Sequence, residues 1–185
     1  MFTGKKVRLR AYRREDLPLA LEYINDSEVK RNLAIGVPLP LKPEEEEKWY
    51  ESLSVSKPET FSFAIETLED SRYIGGCGFN RIDWKNRHAM VGIFIGEEQY
   101  RGRGYGTDAM RVLLKFAFNE MNLNKVRLEV FEFNARAVKS YQKCGFVTEG
   151  VLRQELFREG AYHGVVAMGI LRDEWLKTGP KKEAG

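Results

Sequence analysis

Residues Gln99 to Thr107 read Gln-Tyr-Arg-Gly-Arg-Gly-Tyr-Gly-Thr, with glycines at 102, 104 and 106 and arginines at 101 and 103. The segment follows a strand-like run and opens a helix-like one. Glycine lets the backbone adopt conformations closed to other residues and lets its N–H groups come close to a ligand. The first turn of a helix adds unpaired N–H groups and a positive dipole end, which together favour an anion. Two arginines add charge, and a pyrophosphate is the natural guest. A phosphate loop of the GxxxxGK[ST] type is excluded, because no Lys-Ser or Lys-Thr follows. A GxGxxG dinucleotide fingerprint fails by one position: counting from Gly102, the sixth residue is Thr107. That fingerprint also belongs on the first βα turn, with an acid about 20 residues later, whereas this loop lies in mid-chain.

The elements that must position the loop follow from periodicity. Val7-Arg8-Leu9-Arg10-Ala11 alternates apolar and polar as a strand does. A helix is expected over Glu15–Ile24, with Leu17, Leu21 and Ile24 on one face. Pro38 and Pro40 keep Val37–Leu41 extended, and Pro43 suits the first position of a second helix reaching Leu53. The acids Glu44 to Glu47 read as first-turn chemistry for that helix or, alternatively, as a funnel for a cationic substrate. Strands at Thr60–Thr67, Arg72–Ile82 and Arg87–Ile95, with turns at Asp70-Ser71 and Asp83–Asn86, predict an antiparallel meander. Met110, Leu114, Ala117 and Met121 give Gly104–Met121 an amphipathic helical face. Lys125–Phe133 is a strand. Asn134 is a helix N-cap, and Gly145 ends that helix at the left-handed C′ position. Val147–Phe157 and Tyr162–Leu171 are strands around the turn Arg158-Glu159-Gly160. The order β-α-α-β-β-β-α-β-α-β-β predicts one α+β domain on a mixed sheet over residues 1–176, with a polar tail over 177–185. The piece from Arg87 to Phe133 predicts a right-handed parallel crossover.

The 185-residue chain is 43% hydrophobic and 31% charged, the balance of a globular protein able to bury one core. A net charge of +3 with scattered Lys and Arg shows no basic stripe interleaved with aromatics, so nucleic acid is not an expected partner. No apolar run approaches the ~18 residues of a membrane span, and the N-terminal residues lack the apolar stretch of a signal peptide. Cys77 and Cys144 read as small core residues in a reducing compartment, so a cytoplasmic location is expected. They and the isolated His88 and His163 show no metal-ligand spacing, and no metal is expected.

The spacing Arg101-x-x-Gly104-x-Gly106 matches the R/Q-x-x-G-x-G/A signature of the GNAT acetyltransferases. Further on, Asn134-Ala135-Arg136-Ala137-Val138-Lys139-Ser140-Tyr141-Gln142-Lys143-Cys144-Gly145-Phe146 resembles the second signature of that family, N-x-x-A-x-x-x-Y-x-K-x-G-F. The resemblance runs from Val7 to Leu171. It is closest to the subfamily of ribosomal-protein N-terminal acetyltransferases and bacterial spermidine acetyltransferases, whose pattern Leu9-Arg10-Ala11…Glu15-Asp16-Leu17 and Glu149–Arg153 also resemble. It implies a GNAT fold: a mostly antiparallel mixed sheet of about seven strands, flanked by about four helices, with splayed central strands. It implies acetyl-CoA as co-substrate and a homodimer in which the C-terminal strands take part, with Phe157, Tyr162 and Trp175 suited to an interface or to the core.

The resemblance also assigns roles. Phe94, Ile95 and Gly96 would pair with the pantetheine amides. Backbone groups of Gly102, Arg103, Gly104, Tyr105, Gly106 and Thr107 would hold the pyrophosphate, with charge from Arg101 and Arg103. Asn134 and Lys143 would complete the cofactor side, and Tyr141 would serve the leaving thiolate as general acid. Many relatives carry a glutamate on the central strand in an Ala-Glu-(Ile/Leu)-Gly context. Here Ala89-Met90-Val91-Gly92 places Met90 there, which accepts no proton. Glu129, Glu28 or a water remains as the base. The implied activity is acetyl transfer to a primary amine on a protein N-terminus, a polyamine or a small amine such as an amino sugar, with Asp26, Glu28 and Glu44–Glu47 favouring a cationic acceptor. A non-catalytic acyl-CoA sensor is the alternative that the methionine supports and the retained tyrosine opposes.

Overall fold

A computed structural model describes residues 1–33, 36–53 and 60–178. Seven strands form one sheet: β1 (Val7–Arg10), β2 (Phe61–Thr67), β3 (Tyr73–Asp83), β4 (His88–Ile95), β5 (Lys125–Phe131), β6 (Val147–Arg158) and β7 (Ala161–Leu171). Among the described residues there are six α-helices: α1 (Leu17–Asn25), α2 (Ser27–Leu33), α3 (Pro43–Ser52), α4 (Tyr105–Asn119), α5 (Ala135–Lys143) and α6 (Arg172–Thr178). The strand order is β1-β2-β3-β4-β5-β7-β6. Every neighbouring pair is antiparallel except β4 and β5, which are parallel. The expected meander is present, β4 and β5 are parallel as the expected crossover requires, and the architecture is the α+β fold the resemblance implied.

Because side chains alternate across a strand, each inner strand feeds two cores. Ile65, Ile74, Val91, Val126 and Leu128 point to one face, where they meet the apolar side of α4 at Met110, Leu113, Leu114 and Phe118. Their neighbours Ala64, Tyr73 and Phe94 point to the other face and pack with Ala20 and Tyr23 of α1. The helices therefore clamp the sheet from both sides, which fixes the direction of its central strands.

The central strands nevertheless part. β4 and β5 share only three residue pairs: His88 with Lys125, Ala89 with Val126, and Met90 with Arg127. Beyond Met90 each strand is held from its outer side. β4 stays paired to β3 as far as Ile95 opposite Gly75, and β5 stays paired to β7 as far as Phe131 opposite Val165. A bulge in β3 lies next to the parting point: Phe79 faces Val91 and Arg81 faces Met90, so Asn80 is the extra residue. Such a bulge bends its strand and increases the local twist.

Two helices exceed the expected four. α2 has only Val29 and Leu33 as apolar residues at helical spacing, too little to register as a periodic face; Asp26 caps it, its Oδ1 accepting from the Val29 N–H at 3.0 Å. α6 begins where Glu174 accepts from the Leu171 N–H at 2.8 Å, and its Trp175 packs on Phe118 at 5.3 Å between ring centroids. The expected tail from Lys177 thus begins inside α6, and residues 179–185 lie outside the described residues. The Glu44–Glu47 run behaves as helix chemistry. Glu45 accepts from the Lys42 N–H at 2.8 Å, Glu46 is buried and Glu47 pairs with Arg14.

One buried carboxylate ties the N-terminal strand to the helix that carries the loop. Asp108 Oδ2 accepts from the Lys6 N–H at 2.7 Å and the Val7 N–H at 3.1 Å. Substituting Asp108→Ala removes the acceptor for two backbone donors and is expected to cost about 2–4 kcal/mol of unfolding free energy. Urea unfolding measures it, and an unchanged midpoint would contradict this assignment.

Candidate active site

A cavity of about 410 Å³ opens where β4 and β5 separate. One wall is β4 from Met90 to Ile95, the other is Glu129, Val130 and Phe131 of β5, and α2 contributes Glu28, Val29, Asn32 and Leu33. At one end stand Gly102, Gly104, Gly106 and Thr107; at another stand Asn134, Tyr141 and Lys143. The two segments singled out from the sequence therefore line the same space.

The loop presents a row of backbone N–H groups of the kind that suits an anion. Gly104 caps α4 in the left-handed region at φ 88°, and Gly102 also has a positive φ of 73°; a Cβ is strained at both positions. Arg101 N–H donates to Glu98 O, and Asp108 N–H donates to Gly104 O. Between them, the N–H groups of residues 102–107 find no acceptor among the described residues. Unpaired donors at a helix N-terminus attract a multivalent anion through both hydrogen bonding and the helix dipole. Thr107 is anchored to α5 by a 2.7 Å hydrogen bond between its Oγ1 and Ser140 Oγ. The Cys144 thiol donates to the Thr107 carbonyl at 3.5 Å. Both cysteines are free and buried.

Several side chains expected on the cofactor do something else. Arg101 does not offer its guanidinium to the loop. It donates through Nε to Ile95 O at 3.0 Å, and its terminal nitrogens reach Glu28 at 2.9 Å, Asp26 at 3.0 Å and Gly96 O at 2.5 Å. Sequence spacing could not reveal this, because the acids lie more than seventy residues earlier in the chain. Asp26 and Glu28 are consequently neutralised from within and form no open acid funnel. Gly96 has both polar groups occupied, its N–H donating to Ile74 O at 2.8 Å, and a Cβ there would strike the Tyr23 ring at 2.1 Å. Its role is close packing. Arg103 is exposed to solvent. Tyr105 stands edge-on to Tyr100 at 4.9 Å with Lys6 Nζ over its ring. Tyr105 is thus committed to Tyr100 and Lys6, whereas the Arg103 side chain stays open to solvent beside the loop.

Other expected residues face the cavity. Phe94 and Ile95 line it on β4. Asn134 caps α5, its Oδ1 accepting from the Ala137 N–H at 3.1 Å, which leaves its Nδ2 donors for the cavity. Tyr141 packs edge-on to Phe146 at 5.9 Å. Burial, with the neighbouring Cys144 as a smaller contribution, pushes its phenol up to about 12. It is a neutral O–H donor at any physiological pH.

The base candidates separate clearly. Met90 lines the cavity at the usual acidic position. Glu28 accepts from Arg136 at 2.6 Å and from Arg101 at 2.9 Å; the hydrogen bond from Arg136 holds its carboxyl below the usual range, so it accepts a proton poorly. Glu129 is exposed, lines the cavity and has no ion pair among the described residues. Two further lining residues escaped the sequence reading. Asn80 sits at the β3 bulge, against Gly92, and its one signal was a polar residue inside an apolar strand. Arg136 lay unremarked within the second motif.

Comparison with known proteins agrees with this geometry. Residues 6–147 match the family model described as an acetyltransferase (GNAT) domain. The chain is 29% identical over 175 residues to the SPbeta prophage-derived uncharacterized N-acetyltransferase YokL of Bacillus subtilis (strain 168), covering 94% of each chain. It is 32% identical over 108 residues to the putative ribosomal N-acetyltransferase YdaF of the same organism, covering 58% of each. The crystal structure of spermidine N-acetyltransferase from Vibrio cholerae in complex with CoA and spermine superposes with a TM-score of 0.83 at 29% identity, over 92% of this chain and 98% of that one. A match that spans both the parted strands and the loop between them shows that the chain belongs to the GNAT acetyltransferase family and is an acetyl-CoA-dependent N-acetyltransferase.

Proposed function

We propose that this chain transfers the acetyl group of acetyl-CoA to a primary amine of a polyamine such as spermidine. The observation that carries the cofactor side is the run of unpaired N–H groups over residues 102–107 at one end of the cavity. The acceptor class rests on the likeness to a spermidine N-acetyltransferase solved with CoA and spermine and on Glu129, an unpaired carboxylate at the cavity wall.

In this reading the amides of Gly102 to Thr107 hold the pyrophosphate, Lys143 adds a cation at the rim, and the inner edge of β4 at Phe94 and Ile95 pairs with the pantetheine arm. Asn134 donates to that arm through Nδ2. The amine nitrogen attacks the thioester carbonyl, the C–S bond breaks, and a β4 N–H facing the gap stabilises the oxyanion. Tyr141 serves the leaving thiolate. Moving its proton outright from a group at about 12 to a thiolate of pKa ~8.5 would cost about 5 kcal/mol. Tyr141 therefore acts as a charge-assisted hydrogen-bond donor. Glu129 attracts the ammonium form of the acceptor. An ammonium has no lone pair to attack with, so the proton leaves to water before attack, or to Glu129 once the new N–C bond has acidified it.

The single domain over residues 1–176, a cytoplasmic location and a homodimer belong to the same proposal. Phe157 and Tyr162, 60% and 64% exposed on the β6–β7 hairpin, suit a dimer surface, whereas Trp175 is committed to Phe118.

A thiol-release assay with acetyl-CoA against spermidine, spermine, amino sugars and peptides with free N-termini tests the acceptor. Turnover is expected with the polyamines; turnover confined to peptides or amino sugars would contradict the proposal. Tyr141→Phe should lower kcat about 10²-fold while the CoA dissociation constant stays within about twofold. Equal losses in both would make Tyr141 a packing residue instead. The pH profile has a definite sign. Only the neutral amine attacks, so kcat/KM should rise with pH towards the acceptor's pKa. Tyr141 stays protonated up to about pH 12, so it should impose no fall below about pH 11. A descending limb between pH 8 and 10 would contradict that role.

A further inference from the structure

α2 has seven residues, too few to persist as a helix by itself, and it buries only Val29. What holds it is polar. Glu28 offers one carboxylate oxygen to each of two guanidiniums. Its Oε2 accepts from Arg101 at 2.9 Å and its Oε1 from Arg136 at 2.6 Å. These arginines belong to opposite walls of the cavity. Arg101 opens the loop after β4, and its side chain is only 9% exposed. Arg136 lies in the first turn of α5, after β5. One carboxylate therefore bridges the free ends of the two strands where they no longer hydrogen-bond to each other. Asp26 reinforces one arm only: its Oδ1 accepts from Arg101 as well as capping α2. At the far end of α2, Arg31 pairs with Glu159 of the β6–β7 turn at 2.8 Å and lies over the Phe133 ring at 4.4 Å.

We infer that Glu28 is a positioning residue that latches α2 across the two walls, so that filling the cofactor site orders α2 along the remaining side of the cavity. This rests on the reading of residues 102–107 and Asn134 as the cofactor site. A ligand between the walls fixes their separation, and with it the spacing of Arg101 and Arg136. The carboxylate then meets both guanidiniums in one geometry, and α2 loses the freedom to fray. α2 supplies Val29, Asn32 and Leu33 to the cavity wall, so bound acetyl-CoA steadies the surface that the acceptor meets. A carboxylate is required for the latch. An amide has one acceptor oxygen and would turn its NH₂ towards the second guanidinium.

The test is backbone hydrogen exchange of the full chain, read by mass spectrometry with and without CoA, in the unsubstituted protein, Glu28→Gln and Arg136→Gln. In the unsubstituted protein, CoA should slow exchange in residues 102–107 and also, by roughly tenfold, in residues 27–33. In both variants the loop should still be slowed, while the effect on residues 27–33 falls below about twofold. Arg136 is half-exposed, so its substitution leaves the fold intact even where Glu28→Gln lowers stability. Slowing of α2 that survives either substitution overturns the latch, as does an α2 that ignores CoA while the loop responds. A loop that fails to respond in the unsubstituted protein removes the cofactor reading itself, and the latch with it.

Discussion

The structure turns on a hydrogen-bonded ladder that stops after three pairs. β4 and β5 begin as neighbours at His88–Lys125 and are no longer paired beyond Met90–Arg127, although each remains bound to its outer partner for the rest of its length. Backbone N–H and C=O groups demand partners, and leaving them without any in a buried place is costly. The inner edges of these two strands present such groups to a cavity, and an extended ligand with amides of its own can supply the missing partners. The bulge at Asn80 lies beside the parting point, and helices pack on both faces of the sheet.

Charge is handled in an unexpected way. The loop carries two arginines, yet the more buried one is an internal brace. Arg101 fixes the end of β4 through Ile95 O and Gly96 O and fixes α2 through Asp26 and Glu28. In the proposed reading the anion is left to the backbone donors of residues 102–107 and to the dipole of α4. Backbone donors lose little entropy on binding, because the glycine conformations at 102 and 104 have already set their directions. A guanidinium buried among carbonyls and carboxylates stiffens the cradle without competing for its ligand. The same reasoning accounts for Glu28: held by two cations, it braces the site and serves poorly as a base.

The sequence made the sheet, the crossover and the anion loop legible because each rests on a local signal. Alternation marks a strand, as at Val7–Arg10; the spacing of Met110, Leu114, Ala117 and Met121 marks α4; the glycines at 102, 104 and 106 mark a backbone cradle; Asn134 and Gly145 mark the two ends of α5. Relations between distant segments were not legible. Nothing local to Arg101 announces Glu28, and nothing in Ser27–Leu33 announces a helix whose stability comes from ion pairs to other elements. The Asn80 bulge depends on the register of β3 against β4, which spacing alone does not define. Met90 was legible as a departure, but that the neighbouring acids divide into the pinned Glu28 and the unpaired Glu129 emerged only in three dimensions.

The most direct measurement of the account is a crystal structure of the chain with CoA. The pyrophosphate is expected within about 3 Å of the amide nitrogens of residues 102–107, the pantetheine between β4 and β5, and the sulfur within reach of the Tyr141 hydroxyl. CoA bound outside the gap, or a pyrophosphate held by side chains with those amides left unpaired, would contradict it.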